Sequence, residues 1–241
     1  MVVVVPAVPW WGVVSAAAAP VLLVGGWTIA AGLQPRSVNA VATTISALAA
    51  DGAADRWVMT LVLLAVGACD VITGLALRPA AVPGRLILIA GGIAGALVAA
   101  TPEPARGGSP AHALWAAIGF IALTVWPLGG LRRGSSVPSG LRPAVSAIAA
   151  GALLGLLVWF AAELVTRGEQ IGLAERVLTE AQAVWPLAVV LTCWRDISPA
   201  QAPRGPRRGD RPHHVPAHDA VDPGGAPGSV PSKGSARSGW S

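Results

Sequence analysis

The stretch WVMTLVLLAVGACDVITGLAL, which runs from Trp57 to Leu77, decides the fold class of this chain. Asp70 is its only charged residue. At ~1.5 Å per residue, an α-helix of this length crosses the ~30 Å hydrocarbon core of a bilayer. A helix also satisfies its backbone hydrogen bonds internally, as a segment surrounded by lipid must. The stretch therefore predicts a transmembrane helix.

Apolar blocks of similar length lie on both sides of this stretch. Hydrophobic residues make up 54% of the chain and charged residues 12%, about half the charged share of a soluble domain. After Arg195 the composition changes to Pro, Gly, Ser and Arg, which cannot bury a core. We predict an all-α integral membrane bundle over residues 1–195 and a disordered cytoplasmic tail over residues 196–241. The six transmembrane helices are predicted at about 10–32, 57–77, 86–100, 112–131, 143–165 and 171–194.

Basic residues alternate between the predicted connections. The loops after the second and fourth spans, together with the segment after the sixth, hold 12 of the 17 Lys and Arg residues. Because arginine is retained on the cytoplasmic side, this pattern predicts a multi-pass protein of the bacterial cytoplasmic membrane with both termini in the cytoplasm. No basic segment precedes the first span, so we expect that span to be retained rather than cleaved as a signal peptide.

The net charge of +5 has the same explanation, because the basic residues lie mostly beside the predicted spans. We therefore expect membrane lipids, and no nucleic acid, as partners. Lys233 is the only lysine and the chain has no tyrosine, a bias that indicates a GC-rich, actinobacterial genome.

The first outer loop carries Val38, Val41, Ile45 and Leu48 at helical spacing. It predicts a short amphipathic helix that lies on the outer leaflet or caps the bundle.

Asp70 is the clearest polar residue inside a predicted span. A charge near the bilayer centre costs at least ~2.5–3.5 kcal/mol, so such a residue usually has a partner and often a function. One hypothesis makes Asp70 a proton- or cation-binding carboxylate. The alternative is a structural Asp70 whose side chain is satisfied by Thr73 or by a neighbouring helix.

Other ionisable residues collect at one predicted height, near the outer surface. His112 opens the fourth span, Glu163 closes the fifth, and Glu175 with Arg176 begins the sixth, while Arg56 lies in a loop above them. They predict a polar pocket for a lipid headgroup or a small solute. The alternative is a set of helix-end charges that reach interfacial water. The i, i+4 spacing of Arg176 and Glu180 predicts an ion pair.

Recognisable catalytic and metal-binding motifs do not occur in the sequence. His112 is the only histidine near the membrane, whereas zinc sites commonly use several. No H-E-x-x-H, G-x-S-x-G or phosphate-binding glycine loop is found, and GGIAG (residues 91–95) predicts close helix packing instead. This favours a non-enzymatic protein, and we expect no catalytic residues, metal or cofactor.

Several segments resemble a known family. NAVATTISALAADGAADRW (39–57), LALRP (75–79), TPEPARGGSPAH (101–112), WFAAEL (159–164) and GLAER (172–176) are similar to the bacterial six-span membrane family catalogued as domain of unknown function 998. The resemblance implies a six-span fold but no activity. It places Ser46, Arg56, His112, Glu163 and Glu175 on recurring polar positions.

Three functional hypotheses follow from these residues. The first is a membrane protein that binds a lipid or small molecule in the outer polar pocket. The second is a proton-linked transporter that uses Asp70. The third is a metal-dependent membrane hydrolase centred on His112. The ligand and the oligomeric state cannot be read from the sequence.

Overall fold

The computed structural model of the chain describes residues 8–197, and the predicted disordered tail lies outside the described residues. Within that range the chain is α-helical, without strands, which confirms the predicted fold class. A short 3-10 helix, Ser139–Leu141, precedes α6. The α-helices are α1 (Trp10–Gly32), α2 (Ile45–Leu48), α3 (Trp57–Ala76), α4 (Val82–Ala100), α5 (Pro110–Gly130), α6 (Pro143–Thr166) and α7 (Ile171–Ile197).

Six of these helices, all except α2, are long and apolar enough to cross a bilayer. Their outward faces expose large hydrophobic side chains, among them Ile148 at 73% and Val165 at 83%. Such surfaces are stable against lipid and costly against water. The protein is therefore a multi-pass integral membrane protein.

The helix bounds agree with the predicted spans to within about one turn. The largest difference is at α4, which begins at Val82 instead of residue 86 because Pro83 occupies the first turn. Proline fits there because its fixed φ suits a helix and its missing N–H is not needed. At α5, Ser109 caps the helix by accepting a hydrogen bond from the His112 amide.

The spanning helices pack in chain order, and α1 closes the arrangement against α7. Glycines allow close approach of the helices, which confirms the packing predicted for GGIAG at Gly91 and Gly92 and not at Gly95. A Cβ at Gly92 would lie 2.5 Å from the carbonyl oxygen of Gly67 and 2.9 Å from the Cβ of Asp70. The backbones of α3 and α4 therefore meet beside the one carboxylate of α3.

The two ends of the bundle differ in charge. The end formed by the α1–α3, α4–α5 and α6–α7 connections, here called the acidic end, carries Asp51, Glu103 and Glu169 among others. The opposite end, here called the basic end, carries arginines that bond backbone carbonyls. Arg85 donates to Gly74 and Leu75 at the close of α3, where a cation complements the helix dipole.

The predicted amphipathic helix of the first loop is shorter than expected and caps the acidic end. Its helical part is the single turn of α2, in which Thr44 accepts a hydrogen bond from the Ala47 amide. Ile45 and Leu48 are buried against α1 and α3. The residues before Thr44 are not helical because α7 binds their carbonyl groups, as described below.

Candidate functional site

A chain of hydrogen bonds joins three elements at the acidic end. Glu175, on the second turn of α7, accepts hydrogen bonds from the Ile45 amide and from the hydroxyl of Ser46, whose Oγ lies 3.2 Å from Oε1. The same Ser46 Oγ lies 3.3 Å from Nε2 of His112 on α5. Ser46 therefore bridges a buried carboxylate and a buried imidazole.

The partners of His112 define which of its nitrogens carries a proton. Nδ1 lies 3.0 Å from the carbonyl oxygen of Thr101, and a carbonyl only accepts, so Nδ1 carries the hydrogen. Nε2 faces Ser46 Oγ. Because Ser46 has a single hydroxyl proton, it donates either to Glu175 or to an unprotonated Nε2, and Nε2 donates to Ser46 only when both ring nitrogens carry hydrogen. Glu103 Oε1 lies 3.8 Å from the same Nε2 and is partly exposed, so it links His112 to solvent.

Arg176 holds the first loop against α7. One guanidinium nitrogen, Nη1, donates to the carbonyls of Ala40 (2.7 Å), Thr43 (2.6 Å) and Gly172 (3.0 Å). The guanidinium also lies 5.8 Å from the ring centre of Trp27, a cation–π distance. The absence of a side chain at Gly172 lets α7 approach Thr43 closely. Arg176 thus positions the loop that contains Ser46.

An apolar groove of about 430 Å³ lies between α5 and α6. Phe120 and Phe160 meet at its wall, with ring centres 5.2 Å apart. The part of the groove nearest the acidic end is polar, because Ser46 and His112 border it there. The remaining lining is mainly apolar, and the carboxylates that reach the groove are Glu103 and Glu175. The groove therefore combines a long hydrophobic wall with a compact polar end.

A second, smaller cavity of about 100 Å³ is lined by every spanning helix except α6. Asp70, only 5% exposed, faces it from α3. Glu175, Thr179 and Gln182 face it from α7. The cavity and the groove share the side chains of Ser46 and Glu175, so these two residues form the polar part of the wall between them.

The family described as a protein of unknown function, DUF998, matches residues 16–192, which include every residue of the site named above. The chain belongs to the DUF998 family. Neither a curated protein nor a solved structure matches it. The family assignment confirms the resemblance seen in the sequence, and it brings no ligand or reaction to this DUF998 protein.

The DUF998 fold brings together some of the predicted site residues and separates others. His112 and Glu175 meet through Ser46, and Arg176 lies beside them. Glu163 instead accepts a hydrogen bond from the Gln170 amide and fastens the α6–α7 loop. Arg56 forms an exposed ion pair with Asp51, 3.5 Å away. Neither Glu163 nor Arg56 lines the groove or the cavity. Ligand binding by the predicted set stays a prediction.

Two predicted partnerships are wrong. Arg176 does not pair with Glu180 in the described residues, because helical side chains lean toward the N-terminus and Arg176 reaches back to the first loop. Thr73 does not bond Asp70, because its hydroxyl lies 2.9 Å from Ser15 on α1. No hydrogen bond to Asp70 is found between residues 8 and 197.

Three residues that contribute to the site were not predicted from the sequence. Thr101 acts through its backbone carbonyl, which no side-chain pattern reveals. Thr179 and Gln182 follow Glu175 at i+4 and i+7, a polar stripe on one face of an apolar helix that periodicity alone would have identified. Gln182 donates to the Phe120 carbonyl and to Thr124.

The metal-dependent hydrolase hypothesis gains no support from this DUF998 structure. Over the described range, no three His, Cys, Asp or Glu side chains are grouped so that they could hold a metal ion. His112 has a hydroxyl, a carbonyl and one carboxylate as neighbours. A hydrolase that used Ser46 as its nucleophile would need free N–H donors nearby to stabilise the oxyanion of the transition state. The neighbouring Ile45 amide is not free, because it donates to Glu175.

Proposed function

We propose that this DUF998 protein binds a lipid-like molecule in the α5–α6 groove, with its polar head against Ser46, Glu103 and His112. The observation that carries the proposal is the shape of the groove, a hydrophobic wall that ends in a compact polar cluster. Its volume of about 430 Å³ lies in the range typical of small-molecule sites.

The position of the groove supports a ligand that arrives from the membrane. The groove lies between two spanning helices, and Ile121 and Leu164 on its lining are largely exposed on the outside of the bundle. An acyl chain can pass between these side chains without leaving an apolar medium. The polar head then exchanges interfacial water for hydroxyl, imidazole and carboxylate groups.

Filling the groove tests this proposal. A117W places an indole on its α5 wall, and we expect photolabelling by a diazirine-bearing dodecanol in nanodiscs to fall about tenfold or more, equivalent to at least ~1.4 kcal/mol of binding. Labelled peptides from the wild type should come from α5 and α6. Native mass spectrometry of the same samples should show co-purified lipid retained by the wild type and lost from A117W.

I118W is the matched control, because Ile118 is the next residue on α5 but does not line the groove. It should label like the wild type. Equal labelling of A117W and the wild type, or labelling spread evenly over all spanning helices, would show that no ligand occupies the groove.

We also propose that the acidic end faces away from the cytoplasm, so that both termini are cytoplasmic. The basic end carries Arg78, Arg132, Arg133 and Arg142 in its two short loops and Arg85 in the first turn of α4, and arginines in and beside short loops are retained inside. Alkaline phosphatase fused after Gly107 should therefore be active, and the same enzyme fused after Gly134 should be inactive. The reverse result would invert the orientation and leave the fold unchanged.

Proton-linked transport through Asp70 is a second candidate. It is favoured by one observation, the small cavity that Asp70 and Glu175 line together. Its first physical requirement is a route by which a proton reaches Asp70 from one side of the membrane.

A further inference from the structure

A series of neighbouring polar side chains crosses the wall between the groove and the cavity. Glu103, partly exposed at the acidic end, lies 3.8 Å from His112, and His112 lies 3.3 Å from Ser46. Ser46 in turn lies 3.2 Å from Glu175, which faces the cavity. Each neighbour in this series can give or accept a proton. The series starts at solvent and ends at the cavity.

We propose that the central cavity is a proton-binding site, shared through water by Asp70 and Glu175, which is loaded from the acidic end through His112 and Ser46. The inference deepens the transport candidate and rests on Asp70 facing the cavity. It does not require a lipid in the groove, although the proposed head group would contact Ser46, Glu103 and His112 of the same route.

The lining of the cavity selects a cation. Asp70 and Glu175 are its two ionisable side chains, and no Arg, Lys or His lines it. From α1, α4 and α5 it receives apolar or small side chains and glycines. Arg176 is turned toward the first loop, and the amide of Gln182 donates to Phe120 and Thr124. A proton removes the charge that no donor compensates at Asp70.

The cavity is also the right size for water and too small for a lipid. Its volume of about 100 Å³ exceeds the ~10–15 Å³ needed per water molecule, and it offers several polar partners, as buried water requires. The proposed route to Asp70 needs water between the two carboxyl groups, and the cavity has room for it.

The transfer balances at every atom. In protonated His112, Nδ1–H stays with the Thr101 carbonyl and Nε2–H points to Ser46. The Nε2–H bond breaks as a new bond forms to Ser46 Oγ, while the original hydroxyl proton of Ser46 moves to Glu175 Oε1. His112 is left neutral, Ser46 is unchanged and Glu175 has gained one proton. Water then accepts that proton and delivers another to Asp70.

Infrared difference spectroscopy after a pH jump tests the route in protein reconstituted in nanodiscs. The carboxylic acid band that D70N removes identifies Asp70. We expect S46A to slow the growth of this band by about tenfold or more, because alanine interrupts the transfer. S46T, which keeps the hydroxyl, should retain the wild-type rate. H112Q should slow the band like S46A, since an amide can still donate to Thr101 but cannot take up a proton and pass it on.

The final amplitude of the band is expected to be the same in S46A as in the wild type, because the cavity itself is intact. Thermal unfolding confirms that each variant is folded. An S46A or H112Q protein that is folded and responds at the wild-type rate would overturn the route. A spectrum in which D70N removes no band that responds to pH would overturn the site itself.

Discussion

Replacing Arg176 with alanine is expected to destabilise the protein more than any other single change at the acidic end. Arg176 is 8% exposed and donates to three backbone carbonyls. Its removal leaves the loop carbonyls of Ala40 and Thr43 without this donor, at about 1 kcal/mol or more each, and also removes the cation–π contact with Trp27. We expect the free energy of unfolding to fall by roughly 3 kcal/mol in detergent.

The loss of stability should first unfold the first loop and only at higher temperature unfold the whole bundle. The carbonyls of Ala40 and Thr43 belong to the first loop, so R176A should expose that loop to proteolysis at temperatures where the helices remain intact. R176K should recover part of the stability, because an ammonium group keeps the charge but not the planar guanidinium. R106A is the matched control, since Arg106 is exposed at the same end. Equal melting temperatures for R176A and R106A would contradict the proposed role of Arg176.

Replacing Gly92 with alanine is expected to have the second largest effect. The new methyl group would lie 2.5 Å from the Gly67 carbonyl oxygen and 3.0 Å from the Val71 amide nitrogen. Both contacts are with backbone, which cannot rotate away, so α3 and α4 must separate. Overpacking of this kind costs about 1–3 kcal/mol. Because Asp70 Cβ is 2.9 Å from the same methyl position, G92A should also alter the infrared band of Asp70.

G95A is the matched control on the same helix. A Cβ at Gly95 meets no atom within 4 Å, so the alanine should be neutral, or stabilising by up to ~1 kcal/mol through helix propensity. The melting temperatures of the two variants, measured by thermal unfolding without chemical denaturant, give the comparison. A G92A protein as stable as G95A would mean that α3 and α4 are not in backbone contact.

The fold was predictable because its main determinant is local. A helix that crosses lipid must be apolar along its length, so the runs around residues 57–77 and 143–165 identify their helices without knowledge of their neighbours. The first loop was harder to predict. Its hydrophobic spacing indicated a helix, but the carbonyls of Ala40 and Thr43 bond to Arg176, more than 130 positions away, which no local pattern contains.

The sequence predicted several residues of the candidate site, but it did not predict which of them contact each other. The rarity of polar groups in apolar segments drew attention to Asp70, His112 and Glu175. Glu163 is also a polar residue in an apolar segment, yet its carboxylate accepts a hydrogen bond from the Gln170 amide and stabilises the α6–α7 loop. Height along the membrane normal follows from counting residues, whereas the rotation of each helix about its axis depends on packing.

Hydropathy and the distribution of arginine alone therefore established a six-helix membrane protein and indicated which residues share each end. That information is local because the bilayer acts on every segment separately. The assembled bundle decided that Ser46 stands between His112 and Glu175, that Arg176 holds a loop instead of Glu180, and that Asp70 faces a cavity. These relations join side chains far apart in the chain, and they arise only when the glycine contacts of α3 and α4 and the closure of α1 on α7 set how each helix is turned.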